Sequence, residues 1–400
     1  MKQHWIDLTT EGAESVVVGL LRDGQYELAL DKLEEMTSEG ERVPAWVLDV
    51  FTYTFAALGF HDEALKIVHH RVLREADHIS PYVWYVLLDS CGRAHHHAGV
   101  QYVWARMVQP RLLNPSDAVC LDVLNTAARA GDAALASQAL DHMAARGARL
   151  GLHHFEPLVD AYAAAGDVPN ALQALCIMHA AGIPAAAGST RALFRALRHD
   201  PVAAAPALET LRELRARYTV VPVAAVNVVL EALLATGAVA AALDAYRDVR
   251  QLCGTGPDAA TFAVLLRRVE APRDVVFLGH EMIAFGIAPS AEMLDTLVCA
   301  HAAGGSLELG LKFLSDLVAM GAAAGSGCEP WIREKTAAAL VRRCFLEEDQ
   351  RLWQIADVSK AKGLSLEKMI KDVAETMTKE KADRLPSAEA APAEPVTLSG

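Results

Sequence analysis

The sequence predicts an all-α fold, a right-handed superhelical solenoid of helix-turn-helix repeats. Three observations predict it. First, a beat of small and apolar residues recurs at fixed spacing. Gly24, Ala29, Met36 and Gly40 form one set, Gly131, Ala136, Met143 and Gly147 another, and Gly166, Ala171, Met178 and Gly182 a third. Each keeps steps of 5, 7 and 4 residues, and a fixed period of this kind marks stacked supersecondary units. Second, 52% of the residues are apolar but only 6% are aromatic, a composition suited to Ala/Leu helix packing. Third, no alternating β-branched run or Asn-Gly turn points to a sheet.

The clearest unit spans 152–186. Phe155, Leu158, Val159 and Tyr162 give a helical period up to Gly166, and Ala171, Leu175 and Met178 give a second helix that ends at Gly182. Each beat has a physical reason. The first Gly permits a positive φ at the helix end. The small Ala lets two helices approach closely, and the Met fills the gap between neighbouring hairpins. The second Gly closes the second helix, with a Pro nearby to stop its continuation.

In chain order, residues 1–9 are a lead-in. About nine hairpins then fill 10–325, at 10–44, 45–80, 81–115, 117–151, 152–186, 189–222, 223–258, 259–290 and 291–325. The unit at 81–115 has His95 where the first Gly belongs, and the unit at 189–222 has Asp200–Pro201 there. The unit at 291–325 keeps Gly305, Gly310, Leu317 and Gly321, with Gly in place of the small Ala. A flexible insertion is expected at 322–330. A helical C-terminal cap follows over 326–385, with helices near 330–346, 350–362 and 364–384, as solenoids need a polar end. Residues 386–400, rich in Pro, Ala and Glu, are expected to be disordered.

The "GD…AL…M…G" beat at this period, with Met-x-x-x-Gly endings, resembles the pentatricopeptide repeat family over roughly 10–325. The Trp/Leu-Gly/Tyr signature of tetratricopeptide repeats is missing. The resemblance implies a modular reader of single-stranded RNA, one base per repeat, through the fifth residue of the first helix and the last residue of the repeat. Glu14, Asp49, Tyr85, Leu121, Glu156, Leu193, Asn227, Ala263 and Asp295 fall at the fifth position. Among them Asn227, with Asp258 at the repeat end, is the pair the resemblance assigns to uracil. Four of the nine are acidic and would repel phosphate.

The net charge is −13, and its distribution matters more than its total. Residues 1–43 hold ten acids against four bases, and 115–186 hold seven against three. Residues 187–221 reverse the sign, with six Arg against three acids. Arg191, Arg195 and Arg198 lie at i, i+4 and i+7 and so line one helix face. Arg212 and Arg215, with Arg217, come from the next helix. This cluster reads as a solvated surface, as a phosphate contact for RNA, or as a site for an acidic protein.

Histidines cluster at His69–His70, His95–His97 and His153–His154, but adjacent residues point apart on a helix, so no metal site is expected. The seven cysteines are odd in number and scattered, the usage of a reducing compartment. The longest weakly charged stretch, near 232–243, is too short to span a bilayer. No phosphate loop, nucleophile elbow or deaminase signature is present, so neither an enzyme activity, a cofactor nor a small-molecule substrate is expected. The amphipathic stretch at 364–384 reads as packing against the last hairpin or as an exposed partner-binding helix.

The resemblance implies an organellar, foremost mitochondrial, RNA-metabolism factor, although no presequence is visible at the N-terminus. Its partners would be single-stranded organellar RNA or a ribonucleoprotein, with protein partners besides. The rival expectation is an acidic protein-interaction scaffold or assembly factor without direct RNA readout.

Overall fold

The structure is a computed structural model that describes residues 9–38, 43–73, 78–186, 188–200, 203–218, 220–323 and 332–347, with single positions beyond. The helices expected at 350–362 and 364–384, the insertion at 322–330 and the tail at 386–400 lie wholly or largely outside the described residues. Every regular element among the described residues is helical.

The helices alternate as hairpins. The first pair is α1 (Thr10–Arg22) with α2 (Tyr26–Ser38), and the second is α3 (Ala45–Leu58) with α4 (His61–Leu73). Then come α5 (Pro81–Arg93) with α6 (His97–Val103), α7 (Asp117–Ala130) with α8 (Ala133–Ala145), and α9 (Leu152–Ala164) with α10 (Val168–Ala180). The chain continues as α11 (Arg191–His199) and α12 (Ala204–Arg217), α13 (Val223–Ala235) and α14 (Val239–Cys253), then α15 (Ala259–Arg268) and α16 (Pro272–Ala284). The last hairpin is α17 (Ala291–Gly304) with α18 (Leu307–Ala323), and α19 (Glu334–Leu346) packs on α17. Chain packing divides these into two compact units, residues 1–232 and 233–400.

From α1 to α9 each first helix packs on its own partner and on the first helix of the next hairpin: α7 touches both α8 and α9. The repeat beat explains the fit. Ala29, Ala136 and Ala171 are fully buried, as are Met143 and Met178, and Met36 is all but so. Gly24, Gly131 and Gly166 take φ of 75°, 70° and 75°, the left-handed region that turns the chain from one helix to the next. The helix starts are capped from the sequence: Ser116 accepts from the Val119 amide, Asp132 from Leu135 and Asp167 from Asn170.

The degenerate repeat at 81–115 keeps the backbone without the glycines. His95 takes φ 54°, the conformation of the Gly it replaces. Arg111, sixteen residues on, takes φ 63° where the second Gly belongs. Among the described residues these are the two non-glycines with positive φ. The second helix of this hairpin also loosens into a π-turn at Trp104–Val108, which a sequence pattern does not reveal.

In the second unit the turn at Gly305 departs from expectation. It is extended, with φ −101°, and α17 runs on to Gly304 instead. Gly310 serves the close approach expected of the small residue: a Cβ there would lie 3.2 Å from the His301 Cβ. His301 is 1% exposed, beside Phe313 at 5.6 Å between ring centroids, and neither ring nitrogen has a hydrogen-bond partner among the described residues.

Candidate functional site

The fifth positions of the first helices are where base readers would sit. Four of them are engaged inside the protein. Asp49 on α3 accepts from the Arg71 guanidinium at 2.6 Å, and Arg71 is 1% exposed. The Tyr85 hydroxyl donates to Ser116 Oγ at 3.2 Å, one repeat on. Ser189 Oγ donates to Glu156 at 3.0 Å, again one repeat on. Asp295 is buried, accepts from the Arg333 amide at 3.0 Å, and pairs with its guanidinium. Leu193 is fully buried in α11, with no face left for a ligand. Tyr85, Glu156 and Asp295 tie their hairpins to the next element, and Asp49 ties the two helices of its own hairpin. Sequence reasoning missed the ties, although a Ser precedes the first helix at Ser80, Ser116 and Ser290.

The proposed reader pair falls in separate units. Asn227, in α13 of the first unit, is 8% exposed and takes part in an interaction of its own. Asp258, in the second unit, is the N-cap of α15. Its Oδ1 accepts from the Thr261 amide at 2.8 Å and from the Thr261 hydroxyl at 2.9 Å. Local capping chemistry therefore accounts for Asp258.

The arginines divide into two groups. Arg212 is exposed on α12 and paired with Glu209 at 2.5 Å, an i, i+3 contact. Arg215 is half-buried and donates to the Tyr218 carbonyl at 3.2 Å. Arg191, Arg195 and Arg198 are all exposed on one face of α11, while Leu193 and Leu197 bury the other. None of the three makes a salt bridge among the described residues. On neighbouring α9, burial pushes the Asp160 carboxyl above its ordinary range, the Glu156 charge adds to this, and Arg195 opposes it. A cationic helix face thus adjoins an anionic one.

The histidines act as structural links. His61 Nε2 lies 2.9 Å from Ser90 Oγ, and His61 stacks on His96 at 5.5 Å. His96 reaches Asp62 at 3.1 Å, and His97 reaches Asp132 at 3.0 Å. His95 Nδ1 sits 3.3 Å from Thr126 Oγ1. No group of three or more His, Cys, Asp or Glu among the described residues is arranged to hold a metal ion. Six described cysteines are in no disulfide, and burial pushes the Cys91 and Cys120 thiols up to about 12. No described helix is long and apolar enough to cross a membrane.

One groove of about 860 Å³ lies between the π-turn and α8. Its floor is Trp104, whose Nε1 donates to Gln138 Oε1 at 3.1 Å, and Gln109 donates to the same oxygen at 2.7 Å. Its rim carries Arg111, His142 and Arg146. Arg146 is held by the Pro115 carbonyl and lies 3.6 Å from Asp117.

Comparison with known proteins agrees with the repeat geometry. Residues 117–249 match a family described as pentatricopeptide repeat-containing protein. Residues 269–329 and 321–382 match fungal tetratrico peptide repeats. No curated protein matches the chain by sequence. Solved structures that match include the pentatricopeptide repeat protein PPR10 in complex with an 18-nt psaJ RNA element, at 18% identity and TM-score 0.28, covering 95% of this chain and 55% of that one. PPR10 from maize matches at 14% identity and TM-score 0.33, covering 92% and 60%. The chain therefore spans 55% to 60% of the length of these structures. Residues 117–249 are thus similar to pentatricopeptide repeat-containing proteins, and the hairpins before them keep the same beat.

Proposed function

We propose that this protein is an organellar RNA-metabolism factor, mitochondrial in the first instance, that works within a ribonucleoprotein. It contacts single-stranded RNA through phosphate and not through a base-by-base code. The observation that carries this reading is the face of α11. Three arginines stand exposed at helical spacing with no salt bridge among the described residues. Guanidinium groups placed this way neutralise phosphate and give sequence-independent affinity. The engagement of Asp49, Tyr85, Glu156 and Asp295 within the fold supports the absence of modular readout. The organelle rests on the family resemblance.

The test is photo-crosslinking of the purified full chain to thiouridine-substituted single-stranded RNA, with the crosslinked peptides mapped by mass spectrometry. The reading expects crosslinks concentrated in 191–217. Crosslinks spread over the fifth positions, or no crosslinks at all, would sink it.

A second reading, a protein-binding scaffold without RNA contact, is favoured by the acidity of the other first-helix faces. Glu156 and Asp160 crowd each other on α9, and the Asp160 carboxyl is raised by burial and by that neighbour.

A further inference from the structure

The first helices of the second and third hairpins repeat one surface stripe. Trp46, Asp49, Val50 and Tyr53 lie at i, i+3, i+4 and i+7 on α3. Tyr82, Tyr85, Val86 and Asp89 occupy the same places on α5, thirty-six residues later. Residues at these steps share one helix face. Trp46, Tyr53 and Tyr82 are exposed at 49%, 43% and 63%. They are not scattered exposures: the Tyr53 and Tyr82 rings stack across the two hairpins, 6.1 Å between centroids and 19° from parallel. The stripe is an aromatic platform built from two repeats.

Its charge has one sign. The same four places on α1, α7 and α9 hold Glu11, Glu14, Asp122, Glu156 and Asp160, and no Lys or Arg occupies any of them on the five helices. Asp49 is already paired from beneath with buried Arg71 at 2.6 Å, whereas Arg93 and Arg129 sit at the C-terminal ends of α5 and α7, where they complement the helix dipole, and Arg93 is held by Asp89 at 2.9 Å. Asp122 packs against the C-terminal end of α5, one turn beyond Asp89, because a Cβ on Gly92 would lie 3.1 Å from its own.

Exposed rings flanked by carboxylates suit guanidinium and ammonium groups, which are attracted to the ring faces and to the anions together. We propose that the α3–α5 face docks an extended polypeptide segment rich in arginine or lysine. Its cations lie over Trp46, Tyr53 and Tyr82 and against Asp89 and Asp122. An aromatic platform also stacks nucleobases, but an RNA strand here would bring its phosphates against the carboxylates, and charge complementarity selects the basic polypeptide. The inference stands apart from the α11 arginines and from the RNA reading that rests on them.

The experiment is fluorescence anisotropy on the full chain at physiological ionic strength. One probe is a labelled peptide of alternating arginine and glycine, and the other is labelled oligouridylate. The expected result is peptide binding that Trp46→Ala with Tyr82→Ala weakens by about tenfold. Replacing Arg191, Arg195 and Arg198 by Ala should leave peptide binding unchanged. Both aromatic side chains are exposed, so circular dichroism should match the native chain. The pair Trp46→Gln with Tyr82→Gln gives the same reading should the alanine pair lose helicity. Three results would overturn the proposal: no peptide binding to the native chain, peptide affinity unchanged by the aromatic substitutions, or oligouridylate affinity lost through them.

Discussion

Replacing Asp49 by Ala removes the carboxylate that balances a buried arginine. Arg71 is 1% exposed, its Nη1 donates to Asp49 at 2.6 Å, and its Nη2 donates to the His78 carbonyl at 3.3 Å. Its Nε has no partner among the described residues, so the carboxylate is the main compensation for the buried charge. Breaking a fully buried pair on one side costs about 3–5 kcal/mol. The Asp49 side chain is 24% exposed, which lets water reach the site and places the loss near the lower bound, at about 3 kcal/mol. Arg71→Met is the control. It leaves Asp49 partly solvated and should cost about 1 kcal/mol. The double variant, Asp49→Ala with Arg71→Met, should recover most of the loss, since an apolar side chain replaces the stranded cation. Because a solenoid loses structure locally, the assay is native-state hydrogen exchange on α3, α4 and α5, alongside urea unfolding by circular dichroism. An Asp49→Ala protein with native exchange rates, or one no less stable than the double variant, would refute the assignment of Asp49 to structure.

Three further outcomes are expected. His301→Leu should stabilise the chain by about 1–3 kcal/mol in urea unfolding, because it removes two buried nitrogens without partners. The same histidine sets a pH dependence: burial, then the neighbouring His280, hold its pKa below the ordinary 6.5, so the neutral form belongs to the fold. Its contribution is complete above the unfolded pKa and is lost as pH falls below it. His61, His142 and His154 are also lowered by burial and act in the same direction, so unfolding midpoints should drop on acidification from neutral pH, and less steeply in His301→Leu. Arg111→Gly should raise stability by about 1 kcal/mol, the relief of a left-handed residue less the added freedom of the unfolded chain, as read by the same unfolding curves.

The sequence shows the hairpins clearly because each depends on local chemistry. A Gly with positive φ, a buried Ala and a buried Met must recur wherever two helices turn and stack, and at Gly24, Gly131 and Gly166 they do. His95 shows the limit of that reading: the backbone conformation is kept by the stack when the residue that favours it is lost. Arg111 and the π-turn at Trp104–Val108 also went unseen, since no residue type in the pattern marks either. The candidate site was less legible. Fifth positions can be counted from the repeat, but whether a side chain meets ligand or neighbour depends on residues a repeat away. Ser116 and Ser189 capture Tyr85 and Glu156 across thirty-one and thirty-three residues, and neither pairing leaves a mark within a single unit. The arginine face was legible, because helical spacing alone places Arg191, Arg195 and Arg198 together.

The most direct measurement of the central claim is the salt dependence of single-stranded RNA binding, for the native chain and for the variant with Arg191, Arg195 and Arg198 replaced by Ala. Phosphate contact by three arginines predicts that the slope of log affinity against log salt becomes shallower by about two in the variant, with equal loss for RNAs of different sequence. An unchanged slope, or a loss confined to one sequence, would contradict it.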